Sequence, residues 1–122
     1  MNTELYYKKI TESLRLLSLP FEEQIKCFPN FVEVPFEVLD TFNKAFLLSP
    51  TLIELGKFNN SIIANLLRLH NLINLTLNNP NFKDLEDEQF SKSSEWNKVR
   101  ELSKEILQLM GEAFKNPDPK YI

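Results

Sequence analysis

The chain has 122 residues, two glycines, one cysteine and a net charge of −3. Few glycines speak against a turn-rich β fold, and a lone Cys27 excludes an internal disulfide or a thiolate zinc cluster. An acidic balance speaks against a nucleic-acid binder, whose affinity rests on many Lys/Arg–phosphate contacts.

Residues 3–18 carry helical spacing. Leu5, Tyr6, Ile10, Leu14 and Leu17 make an apolar face, and Lys8, Lys9, Glu12 and Arg15 the opposite one. Thr3 is the expected cap. Pro20 opens a short helix over 20–28, closed by Pro29. The stretch 30–34 alternates and is read as extended. Pro35 starts a helix over 35–48 with Phe36, Leu39, Phe42, Phe46 and Leu47 as its buried stripe. A further short helix, 50–55, stops at Gly56.

Residues 60–79 stand out. Nine Leu and Ile residues cover most of the helical circumference, and Asn65, Arg68, Asn71 and Asn78 leave a narrow polar seam. A helix apolar on nearly all sides is expected to be surrounded by others. Asn60 is the expected cap, and Asn79-Pro80 the stop. One or two helical turns are expected at 84–90. Ser94 is read as the cap of a last helix over 95–115, with Trp96, Val99, Leu102, Ile106, Leu109, Met110 and Ala113 buried. The tail, with Pro117 and Pro119, is read as fraying or lying along the surface. The expectation is one all-α domain over 1–122, six or seven helices around a central buried helix at 60–79.

Catalytic chemistry finds little support. His70 has no nucleophile or carboxylate at helical spacing, so it reads as a hydrogen-bonded helix residue. Cys27 has Lys26 as its one basic neighbour and reads as an inert thiol. No glycine-rich phosphate loop is possible. The sequence therefore predicts a protein that is not an enzyme and holds no metal or cofactor. No apolar leader opens the chain, and Arg68, His70 and Asn71 interrupt the longest apolar run, so a cytoplasmic location away from membranes is expected.

Acidity is concentrated in residues 20–56, net −4, and 82–95, net −3, on either side of a basic 57–81. Together these segments would form a docking face for a basic protein. The candidate binding residues, chosen by charge, are Glu33, Glu37, Asp40, Asp84, Glu86, Asp87 and Glu88.

Four stretches, FNKAFLLSPTLIELGKF (42–58), LLRLHNLINL (66–75), NNPNF (78–82) and EQFSKSSEWNKVRELSKEIL (88–107), take in 52 of the 122 residues. In them the chain resembles small all-helical immunity proteins of bacterial contact-dependent growth-inhibition systems. The resemblance implies an antitoxin that binds the C-terminal toxin domain delivered by a neighbouring cell, often a nuclease, and blocks its active site. It carries no fixed set of binding residues. The alternative is a helical adaptor or regulator that binds another cellular protein.

Overall fold

The long helices begin where a short polar side chain can hold a free N–H of the first turn. In the computed structural model, which describes residues 2–30, 32–78 and 92–122, Asn2 accepts from the Leu5 amide at 3.0 Å and starts α1 (Thr3–Ser18). Asn59 accepts from Ile62 at 2.9 Å and starts α5 (Asn60–Asn78). Ser93 accepts from Trp96 at 3.3 Å and starts α6 (Ser94–Met110). Each cap lies one residue before the expected one, because the side chain bonds the third amide into the helix. Between α1 and α5 lie α2 (Phe21–Ile25), α3 (Val34–Phe46) and α4 (Ser49–Glu54). A 3₁₀ turn, Pro119–Tyr121, ends the chain. All regular structure among the described residues is helical, as expected.

Both glycines end helices. Gly56 and Gly111 have φ of +71° and +74°. After each, an amide bonds back five residues, Lys57 to the Leu52 carbonyl and Glu112 to the Leu107 carbonyl, both at 2.9 Å. This is the Schellman closure, and it needs a residue without a Cβ penalty. It stops α6 at Met110, five residues short of the expected end, and turns Ala113 out to solvent.

The buried apolar residues form one cluster, in which α1 packs against α3 and α6, and α5 packs against α6 and α3. The enclosed helix is α1. All nine residues from Ile10 to Ser18 are buried, polar ones included. This corrects the expectation that the helix at 60–79 is central. Helix α5 keeps Ile62, Leu66, Leu69 and Ile73 inside but leaves Leu67 51% and Leu75 71% exposed. Leu14, Leu16 and Leu17 of α1 are sealed, each burial stabilising by about 1.5–3 kcal/mol. Apolar content marked α5 as the centre, but enclosure depends on how many elements cover a helix. Helix α1 is covered by α3, α4, α6 and the C-terminal turn.

That cover explains how Glu12 and Arg15, expected on a wet face, are buried at 5% exposure each. Arg15 pairs with Glu12, donates to Glu112 Oε2 at 3.0 Å and to the Ala113 carbonyl at 3.1 Å. The Asp118 amide donates to Glu12 Oε2 at 2.9 Å, and the Tyr7 hydroxyl to Glu112 Oε1 at 3.0 Å. Buried charges persist only when paired and hydrogen-bonded, and here the pairing fastens residues 112–118 along α1. The buried hydroxyls of Thr11, Ser13 and Ser18 donate to carbonyls three or four residues back in α1.

Candidate docking face

Helix α3 carries the described part of the acidic set. With Pro35 in its first turn, it buries Val38, Leu39, Phe42 and Ala45. At about 100° per residue this leaves Glu33, Phe36, Glu37, Asp40, Lys44 and Leu47 within one third of the circumference on the other side. Phe36 is 45% and Leu47 76% exposed, which corrects their expected place in the buried stripe. A helical wheel holds the signal: Val38 and Ala45, seven apart, already complete the inner face with Leu39 and Phe42, and Phe36 and Leu47 fall opposite.

Glu33 is exposed, and its carbonyl accepts from the Glu37 amide at 3.0 Å at the start of α3. Glu37 and Asp40 line a cleft of about 490 Å³ between α3, Lys9 of α1 and the C-terminal turn, where Lys120 and Tyr121 form the far wall. Asp40 is paired with Lys44 at 2.9 Å. The bond to Asp40, then its charge, hold the Lys44 ammonium above its ordinary pKa. Exposed pairs of this kind contribute little to stability, so Asp40 can change partners at low cost. The structure thus brings together Glu33, Glu37 and Asp40. Asp84, Glu86, Asp87 and Glu88 lie outside the described residues.

Beyond Leu47 the surface becomes apolar. A groove of about 320 Å³ between the end of α3, α4 and α5 has Phe46, Ile63 and Leu66 as its floor and Leu47, Pro50, Ile53 and Leu67 as its rim. His70 stands behind it. Its ring stacks on Phe46 with centroids 4.3 Å apart and planes 10° apart, and its Nε2 is 3.1 Å from the Asn74 amide nitrogen.

Cys27 is half-buried, its Sγ 3.6 Å from the Glu23 carbonyl. Burial, reinforced by the Glu23 charge, pushes the thiol pKa up, so it stays protonated at neutral pH. Among the described residues no three His, Cys, Asp or Glu side chains are grouped to hold a metal ion, and no helix is long and apolar enough to cross a membrane.

No protein-family model, curated protein or solved structure matches the chain.

Proposed function

We propose that the protein is an immunity protein that binds a cognate contact-dependent growth-inhibition toxin domain, a basic nuclease, and occludes its active site. The reading rests on the resemblance in residues 42–107 and on one structural observation. On the solvent side of α3 the carboxylates of Glu33, Glu37 and Asp40 alternate with the exposed side chains of Phe36 and Leu47. Carboxylates so placed can occupy positions where a nuclease cleft holds phosphates and can steer encounter with a basic surface. Large apolar side chains among them supply the dehydrated anchors that slow release. The action is stoichiometric binding in the cytoplasm, with no cofactor.

The test is growth rescue together with a binding measurement. The toxin domain encoded beside this gene is expressed in a sensitive cell with and without the protein. Rescue confined to that toxin is the expected result. The combined variant Glu33→Lys, Glu37→Lys and Asp40→Lys should weaken binding by at least about tenfold, mainly through slower association. Failure of the wild-type protein to rescue would sink the immunity reading. Rescue and affinity left intact in the triple variant would place the interface elsewhere.

The adaptor reading draws on a different feature. The apolar groove between α4 and α5 has the shape that takes the nonpolar side of an amphipathic helix. Loss of toxin rescue with Ile53→Asp and Leu67→Asp, in a protein whose α3 face is intact, would tie that groove to the toxin and remove the need for an adaptor role.

A further inference from the structure

Residues 112–118 are fastened to α1 by buried bonds, and the fastening stops there. Pro117 is buried and the Asp118 amide donates to Glu12, whereas Pro119 and Lys120 are exposed and Tyr121 and Ile122 half-buried. In the 3₁₀ turn the Lys120 amide donates to Asp118 Oδ1 at 3.0 Å, and the Tyr121 and Ile122 amides donate to the Asp118 and Pro119 carbonyls at 3.1 and 3.5 Å. All three bonds stay inside the turn. Among the described residues no hydrogen bond or ion pair joins 119–122 to a helix.

Two side chains seat the turn instead. Ile122 packs against the core and lines two clefts at once. On one side is the cleft of about 490 Å³, with Phe28, Ala45 and Leu48. On the other is a cleft of about 310 Å³, with Leu19 and Cys27. The Tyr121 ring receives the Lys8 ammonium, whose nitrogen is 5.7 Å from the ring centroid, a cation–π contact.

We propose that the two clefts are one peptide groove between α1, α2 and α3, that residues 119–122 are its removable occupant, and that it takes a protein segment carrying an aromatic residue followed by an aliphatic one. The turn itself supplies the chemistry of the occupant. An incoming aromatic ring takes over the Lys8 ammonium, and the aliphatic side chain takes the place of Ile122 among Leu19, Phe28 and Leu48. A segment held through two side chains opens at little cost while the bundle stays folded. Being tethered, the turn competes at an effective concentration on the order of millimolar. The proposal rests on the contacts of the turn and does not depend on the toxin reading.

Cys27 is the single cysteine and lines the groove, so its labelling rate tests the proposal. In the full chain carrying Tyr121→Gly and Ile122→Gly, a bulky thiol reagent should label Cys27 roughly tenfold faster than in the wild type, because the groove stands open. The peptide Pro-Lys-Tyr-Ile at millimolar concentration should restore slow labelling of that variant, and Pro-Lys-Ser-Ser should not. Neither substituted residue is bonded to a helix, so the fold should survive, as circular dichroism will report. The wild-type chain gives a second measurement. Its Lys120, Tyr121 and Ile122 amides should exchange hydrogen at least about tenfold faster than the Asp118 amide. Unchanged labelling in the variant, equal protection by both peptides or by neither, or exchange at 120–122 as slow as at Asp118 would each overturn the proposal.

Discussion

At the scale of single residues, the buried pair of Glu12 and Arg15 separates what local sequence reveals from what it hides. Their spacing puts both on the wet face of α1, where charges three apart ordinarily lie. Their partners stand at the other end of the chain, at Glu112, Ala113 and Asp118, and no local pattern announces such a contact. Arg15→Ala leaves the Glu12 carboxylate buried without its cation, so denaturant unfolding should show a loss of about 3–5 kcal/mol. Arg15→Lys should fall between, keeping the charge but losing the planar fork that reaches three acceptors. A loss under about 1 kcal/mol for the alanine variant would mean that water has taken over the pairing. Tyr7 gives the same region a pH signature. Burial, then its bond to Glu112, push the phenol from 10.0 up to about 12. The folded chain holds this proton more tightly than the unfolded chain does. Its contribution is therefore complete below pH 10 and is lost as pH rises from 10 toward 12. In a near-ultraviolet absorbance titration, one of the three tyrosines should ionise late, and Tyr7→Phe should remove that phase and flatten the decline in stability. Simultaneous ionisation of all three would contradict it.

At the scale of elements, the helices were legible and their ends less so. Apolar spacing, prolines in first turns and short polar caps located α1 to α6 to within a few residues. Caps were displaced by one residue, since Asn2, Asn59 and Ser93 each have a polar neighbour that fits the pattern as well. The end of α6 was missed because Gly111 sits within an otherwise continuous helical pattern. Its φ of +74° shows that the break is a conformational one, and a Cβ built there meets nothing within 4 Å. Gly111→Ala should therefore cost about 1 kcal/mol through backbone strain alone, and Gly111→Asn less, because asparagine tolerates the left-handed region. Equal stability of all three proteins in thermal unfolding would show that the tail enforces the turn without help from the glycine. On α3 the carboxylates Glu33, Glu37 and Asp40 were legible as charges. Their alternation with Phe36 and Leu47 was not, because counting apolar residues assigned both to the core.

At the scale of the whole molecule, the all-α class followed from composition and periodicity, but the identity of the enclosed helix did not. Residues 60–78 are the most apolar stretch, and hydropathy alone makes them the centre. The bundle instead encloses α1, whose Ser13, Arg15 and Ser18 needed partners before they could be buried. Helix α5 instead leaves Leu67 and Leu75 outside. The fastening of α1 by the tail also bears on how the protein is made. Tyr7, Glu12 and Arg15 bond residues 97 to 106 positions later in the chain. A ribosome adds about 5–20 residues per second, so α1 emerges roughly 5–20 s before the segment that covers it exists. During that interval Leu14, Leu16 and Leu17 have no finished core to enter. Newly made α1 is thus a natural client for chaperones until residues 112–118 have been made.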